Sequence, residues 1–336
     1  MKLDLSQLLS YERAGHLTTR GLLPKVRVAE LRRVVRAAYS ARELDAHRQK
    51  VRVLLGDDAL QEVDASGGSS KRKLALLKRA LAAVDPDDIP FMQLFNLWPE
   101  LESVASLLRS PEMAGTAAAL LGAAPKQRVR LYQDSVFLKR AGDGPTRWHS
   151  DLCMAPIETN DFVTCWIPLQ PVAAHEDGGS GLLFASGSHR DVGLHYWHPK
   201  GHDASDRGYE ESSAGEMAAG DVSWHHGWLL HAAAPNDGAA PRLAFAASFF
   251  LDGARRHRAS DLQRELASQH DEDAESYAAW ARAGPNAVLP GQLARHARLP
   301  VVWPPSESGT DERSRARALR RGAHRRPERL GERRPW

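Results

Sequence analysis

Cysteine is scarce: the 336 residues hold two, Cys153 and Cys165. Two thiols cannot build a disulfide framework, and these two form no CxxC pair. A stapled secreted fold and a thiolate zinc site are therefore not indicated, and a reducing, cytoplasmic setting is the expectation. Long apolar runs are also missing. The longest, such as Leu243–Leu251, is far too short to cross a bilayer, so no membrane partner is expected. The opening MKLDLSQLLSYERAG carries Asp4 and Glu12 and no long apolar stretch, which reads against a secretory leader. No internal repeat stands at a solenoid period. What the chain does have is 42% hydrophobic and 26% charged residues, an ordinary globular mix. Its length suits one large domain or two ordinary ones.

The net charge of +3 hides an asymmetry. Residues 311–336 hold ten arginines against Asp311, Glu312, Glu328 and Glu332, a balance of +6 that leaves −3 for the rest. An arginine-rich tail can grip nucleic acid or an anionic surface. A solvated, uncommitted end is the simpler reading, and nucleic acid is not the expected partner.

Three zones follow along the chain. Residues 1–125 read as helical. Val28, Leu31, Val34, Val35 and Ala38 recur at helical spacing after Pro24, and Leu74, Leu77, Leu81 and Val84 do so after the SGGSS loop at 66–70. Glu100–Leu108 and Glu112–Leu121 predict two more helices. From 126 to 255 the pattern turns strand-like. Val129, Leu131, Val136 and Leu138 alternate, and Phe162–Leu169, Leu182–Ala185, Asp221–Trp224 and Leu243–Leu251 are short runs bounded by turn formers. Many short strands suggest an antiparallel sandwich or barrel. The polar stretch 198–215 reads as a lid over a pocket. Residues 256–304 read as a helical or irregular extension, with Asp261–Ala281 as one possible helix, and 305–336 as the basic tail.

The chemistry lies in Arg147-Trp148-His149-Ser150-Asp151. On a strand, residues i and i+2 share a face, so His149 and Asp151 project together. An imidazole and a carboxylate are two thirds of the facial triad that holds non-heme iron(II). His231, in Trp228-Leu229-Leu230-His231, can supply the third ligand. Taken alone, HxD also arises as a surface His–Asp pair. His225 and His226 compete with His231, but they read as a turn just after a strand, whereas His231 lies in an apolar run eleven residues before Arg242; the two are then expected beside the ligands or facing substrate, or simply as packed, hydrogen-bonded histidines. Arg242 enters the strand LAFAASFFL, where a guanidinium can hold a carboxylate through paired hydrogen bonds. The GGSG turn at 178–181 lacks the lysine and following helix of a phosphate loop, so it reads as a strand connection.

The run WHSD…TCWIPLQPV…DGGSGLLFASGSH…GDVSWHHGWLLHAAAPN…R resembles the phytanoyl-CoA dioxygenase family in order and spacing. His149/Asp151, Trp166, Gly178–Gly181, Ser186-Gly187-Ser188-His189, His231 and Arg242 match its motifs in turn. Tyr11–Leu23 is similar to its opening helix and strand. The resemblance covers roughly residues 8–252. It implies a mainly β fold, a double-stranded β-helix (jelly-roll) buttressed by N-terminal helices. It implies Fe(II) on His149, Asp151 and His231, 2-oxoglutarate as cosubstrate anchored by Arg242, O2 as oxidant, and ascorbate as an activator in vitro. Trp166 and Ser135 are then expected to line the cosubstrate pocket. Three departures stand out. Ala233 replaces a serine common two residues after the distal histidine. Ala185 replaces the proline of a PGSH motif. No lysine stands around Gln93 and Asn96, where relatives place one that binds the cosubstrate.

The reaction so implied couples oxidation of 2-oxoglutarate to succinate and carbon dioxide with hydroxylation of an unactivated C–H bond in a small or medium metabolite. Desaturation, epimerisation and ring formation use the same iron site and are not separable from hydroxylation by sequence. Asp151 argues against a halogenase, in which this ligand is lost. A non-catalytic barrel with a nucleic-acid-binding tail is the rival from another class, disfavoured by the four groups kept in register. A monomer is the default.

Overall fold

The structure, a computed structural model, describes residues 3–84, 92–191, 208–258, 280–281 and 286–305. Trp280 and Ala281 lie in a turn; the rest of the helix expected over Asp261–Ala281, the first part of the polar stretch (198–207) and residues 306–336 lie outside these.

The N-terminal zone is helical, as its periodicity predicts. Helix α1 (Leu5–Ala14) starts at Asp4, whose side chain accepts from the Gln7 N–H while the Gln7 side chain accepts from the Asp4 N–H. This reciprocal cap satisfies two amide donors that the first turn leaves open. The helix stops at Gly15, whose φ of 80° suits glycine. Strand β1 (His16–Thr19) follows directly. Helix α2 (Lys25–Ala65) begins after Pro24 and is broken at Gly56, where φ is 86°. Helix α3 (Ser70–Leu81) packs back on it through Val51, Leu60, Val63, Leu77 and Leu81. After β2 (Met92–Phe95) come α4 (Glu102–Leu108), a π turn at Pro111–Gly115 and α5 (Thr116–Leu120). The helix predicted over Glu112–Leu121 is thus split, because Ser110-Pro111 opens it with a wide turn.

Two antiparallel sheets form the rest. The larger contains β3 (Val129–Lys139), β6 (Phe162–Pro168), β9 (Val222–His226), β11 (Arg242–Leu251) and β13 (Val301–Trp303), in the order β1-β9-β6-β11-β3-β13, with β2 also paired to β3. The smaller has the order β4-β10-β7-β8, from β4 (Thr146–His149), β7 (Leu182–Ala185), β8 (Glu211–Ser213) and β10 (His231–Ala233). A short helix α6 (Asp151–Met154) follows β4, and β5 (Ile157–Glu158) pairs β12 (Arg255–Arg256). Among the described strands no hydrogen-bonded ladder joins the two sheets, so the jelly roll is a pair of facing sheets rather than a closed barrel.

Alternation along the large sheet sorts its two faces. Val163, Cys165 and Ile167 of β6, Val222 and Trp224 of β9, and Leu243, Phe245, Ala247 and Phe249 of β11 pack against the N-terminal helices. Each fully buried large apolar side chain stabilises this layer by about 1.5–3 kcal/mol. The intervening residues face the small sheet: Trp166, Ala244 and Ala246 meet Val172, Leu182, Phe184, Leu229 and Ala233. The segment after residue 255 contributes more than an irregular extension. Its β13 pairs with β3, while Trp280, Val288, Ala294 and Leu299 cover Tyr132, Leu152 and Phe250.

Candidate metal centre and cosubstrate pocket

The space between the sheets can be read as cross-strand rows, because directly opposed residues point to one face. One row of the large sheet is His16–His225–Thr164–Ser248–Gln133. In the small sheet His231 stands opposite both His149 and Phe184, and Phe184 opposite Ser212. The two rows meet: the His225 and His231 rings are 4.2 Å apart between centres. His225 and His226 are therefore the end of strand β9 and not a turn, and His225 faces the site.

His149, Asp151 and His231 each offer one ligand atom, all within 4.8 Å of one another. His149 closes β4, whereas Asp151 opens α6, so the pair is not two residues of one strand as the spacing suggests. The chain turns after His149 and still brings the carboxylate back. Asp151 Oδ1 lies 3.9 Å from His149 Nε2 and 3.7 Å from His231 Nε2. Both rings donate from Nδ1 to a carbonyl, His149 to Arg147 at 2.7 Å and His231 to Leu229 at 2.9 Å. That fixes the tautomer and leaves Nε2 as the lone-pair donor, the arrangement that metal-binding histidines need. Asp151 Oδ2 accepts from Thr164 Oγ1 at 2.5 Å and lies 3.3 Å from His225 Nε2. The outer oxygen is thus held and Oδ1 is free to ligate.

Electrostatics agrees with this division. Burial drives both His149 and His231 below the ordinary imidazole value, so both are neutral at pH 7. Burial alone would raise Asp151, but His231, His225 and His149 around it hold the carboxyl well below the usual carboxylate range. Two neutral nitrogens and one carboxylate suit a divalent first-row metal.

Arg242 opens β11 at the far end of the same interspace. Buried, with its carbon Cζ 5.4 Å from the centre of the Trp166 ring, it donates from Nη1 to the Ser180 carbonyl. Ser180 reaches it because the GGSG turn is tight: a Cβ on Gly179 would stand 1.9 Å from the Ala173 carbonyl oxygen. Burial pushes Arg242 down to about 10, which still leaves it charged at neutral pH. Its Nε is buried without a partner. Along β11, Arg242 and Ser248 are six residues apart, about 20 Å of strand. The guanidinium spans part of that by lying back over Trp166, whose register partner is Ala246. Ala244, Ala246 and Ala233 keep the intervening space open, and Ser135 pairs with Ala246 on the same face.

One residue was misplaced by the sequence reading and one escaped it. His225, expected close to the ligands or facing substrate, was put in a turn, and the strand register shows it on β9 beside Asp151. Lys139, the last residue of β3, is fully buried and stands opposite Arg242. The alternation through Gln133, Ser135 and Phe137 is the signal that could have placed it inward.

A jelly roll carrying a His-Asp-His triad with a buried arginine beyond it defines the iron- and 2-oxoglutarate-dependent oxygenases. The chain belongs to the phytanoyl-CoA dioxygenase family: the family model "Phytanoyl-CoA dioxygenase (PhyH)" matches residues 11–244. Solved structures with the same fold include the epimerase SnoN from nogalamycin biosynthesis in complex with Fe3+, α-ketoglutarate and nogalamycin RO. It is 21% identical, with a TM-score of 0.58 over 88% of this chain and 97% of that one. The carbocyclase SnoK from the same biosynthesis is 18% identical, with a TM-score of 0.55 over 89% and 96%. EctD from S. alaskensis with bound Fe is 14% identical, with a TM-score of 0.55 over 86% and 88%. No curated protein matches in sequence. Among the described residues no helix is long and apolar enough to cross a membrane.

Proposed function

We propose that the protein hydroxylates an unactivated C–H bond of a small or medium organic metabolite, using Fe(II), 2-oxoglutarate and O2. The observation that carries this is the anchored triad: His149 and His231 present Nε2, and Asp151 presents Oδ1, to one point between the sheets. The donor set fits a metal that keeps open positions, since three ligands on one face leave the opposite face for a 2-oxo acid and oxygen. When bound, iron supplies the oxidising chemistry that protein side chains cannot. The chain does the rest. Thr164 holds the outer oxygen of Asp151, Arg242 receives the distal carboxylate of 2-oxoglutarate, and Trp166 and Ser135 wall its path. Trp166, Phe184 and Leu229 keep water from the interspace, which strengthens the charge pairing inside.

Residues 1–255 with β13 are proposed as the oxygenase unit, and the tail from 305 as external to its chemistry. SnoN and SnoK carry an epimerase and a carbocyclase on this fold, so product analysis decides the outcome type. The test is succinate release from 2-oxoglutarate with Fe(II) and ascorbate, screened over metabolites. A hydroxylated product 16 mass units heavier supports the proposal. Loss of two hydrogens, or an isomer, replaces hydroxylation by another outcome at the same site.

A further inference from the structure

The two oxygens of Asp151 have different surroundings. Oδ1 lies 3.9 Å from His149 Nε2 and 3.7 Å from His231 Nε2, whereas Oδ2 lies 2.5 Å from Thr164 Oγ1 and 3.3 Å from His225 Nε2. Counting hydrogens fixes the direction of both contacts to Oδ2. An ionised carboxylate only accepts, so Thr164 gives its one hydroxyl hydrogen to Asp151. Ser248 Oγ, 2.9 Å from Thr164 Oγ1, must then be the donor of that pair. The hydroxyls form a directed chain from Ser248 through Thr164 to Asp151, and all three side chains are buried. By the same rule His225 carries a hydrogen on Nε2, and its Nδ1 is left buried without a partner. An unmet buried polar atom is costly. The ring bears that cost where its other nitrogen meets the carboxylate.

Strand register brings both donors to one oxygen. Thr164 on β6 stands between His225 on β9 and Ser248 on β11, in one row across the large sheet. Asp151 comes from outside that sheet, on α6, and presents Oδ2 to the row. A carboxylate can ligate a metal through one oxygen or through both. Through both, Asp151 would occupy two positions, and with two histidines and a chelating 2-oxo acid an octahedral site would be full. Through one, a position stays open. Turning Oδ2 toward the metal would break the charge-assisted bond from Thr164 and the contact to His225.

We propose that Thr164, oriented by Ser248 and assisted by His225, is a positioning residue that keeps Asp151 a one-oxygen ligand and so holds a coordination position open for O2. This rests on the reading of the triad as an iron site. It assigns the hydroxyl row of the large sheet a part in reactivity with oxygen, separate from holding either the metal or the cosubstrate.

The test is anaerobic crystallography of the Fe(II)-loaded full chain with 2-oxoglutarate, for the wild type, Thr164→Val and Thr164→Ser. Calorimetry with 2-oxoglutarate and substrate-free oxygen consumption are measured on the same proteins. Valine keeps the branched shape and loses the hydroxyl, while serine keeps the hydroxyl. In the wild type and Thr164→Ser one Asp151 oxygen should lie about 2.0–2.2 Å from the iron, with Oδ2 outside ligand range. In Thr164→Val both oxygens should ligate. The Kd for 2-oxoglutarate should change less than about twofold, because its two positions remain. Oxygen consumption should fall about 10–100-fold in Thr164→Val, the range for partners of metal ligands, and Thr164→Ser should restore most of it. A valine variant in which Asp151 still ligates through one oxygen overturns the proposal, as does a wild type in which both ligate. So does a serine variant as slow as the valine one, because the hydroxyl is then not what acts. If Thr164→Val does not fold, Thr164→Ala makes the same comparison. Wild-type protein that takes up no iron at the triad overturns the iron reading itself, a result distinct from all of these.

Discussion

His149 and His231 stand directly opposite each other across β4 and β10, their ring centres 4.2 Å apart. Strand register therefore sets the metal site: a one-residue slip of either strand would turn one imidazole out of the interspace. The cross-strand pair also explains why His226, one residue beyond His225 on β9, cannot replace His231. It lies against His189, with ring centres 5.1 Å apart, on the other side of the strand's alternation.

Replacing His231 with alanine is expected to weaken iron binding by more than about 100-fold, beyond the 10–100-fold typical of outer partners. His225→Phe, which removes a contact to Asp151 Oδ2 but no ligand atom, should fall within that outer range. His226→Ala should leave one iron per chain. Metal content after equilibrium dialysis checks all three, and an iron-replete His231→Ala protein would reassign the site.

Arg242→Lys keeps a charge and loses the planar fork over Trp166. The KM for 2-oxoglutarate should rise about tenfold or more, on the scale of a lost charge-assisted pair, with iron affinity unchanged. Steady-state kinetics with varied 2-oxoglutarate measures it. An unaltered KM takes Arg242 out of the pocket.

Asp134 is fully buried on β3 and accepts from the Leu97 and Trp98 N–H groups at 2.9 and 3.0 Å. Burial nevertheless pushes its carboxyl up to about 6. A raised acid favours the folded state in its protonated form. Its stabilising share is fully present below the ordinary value of 3.8 and is lost as pH rises through about 6. The loss by pH 7 is at most about 3 kcal/mol. Urea midpoints of the wild type should therefore fall between pH about 4 and about 7 relative to those of Asp134→Asn. Parallel midpoint profiles would show that the backbone donors dominate.

The tail beyond residue 305 is proposed to lie outside the oxygenase unit. A chain ending at 309 should fold, bind iron and turn over 2-oxoglutarate like the full chain. A chain ending at 285 lacks β13 and Leu299, which is fully buried, and should be unstable. Leu299→Ala alone should cost about 2–5 kcal/mol, the usual range for such a cavity. Thermal melts of the three proteins test this; lost turnover in a folded chain ending at 309 would draw the tail into the site.

Much of this was legible in the sequence, for identifiable reasons. β6, β7 and β11 are short apolar runs bounded by turn formers, which marks them as strands covered on both faces, and β7 falls at Leu182–Ala185 as the pattern predicts. His149, Asp151 and His231 were recognisable because their spacing matches a family. The short α6 was not, since four residues carry no periodicity, and Asp151 was accordingly placed on a strand. Lys139 was missed because a lysine at a strand end normally reads as solvent-exposed. Its partner Arg242 is about 100 residues away, and only the β3–β11 register joins them. Strand β13 was hidden for the same reason: three residues after a proline-rich stretch gain their pairing from a distant edge.

The most direct test of the account is an anaerobic titration of the Fe(II)-loaded protein with 2-oxoglutarate, followed by visible absorption. A 2-oxo acid chelating iron(II) gives a charge-transfer band that neither component shows alone. The band should appear, saturate at one equivalent per chain, be absent from His231→Ala and need far more 2-oxoglutarate in Arg242→Gln. Iron bound at full stoichiometry with no band, or a band that survives His231→Ala, would contradict the assignment of this site.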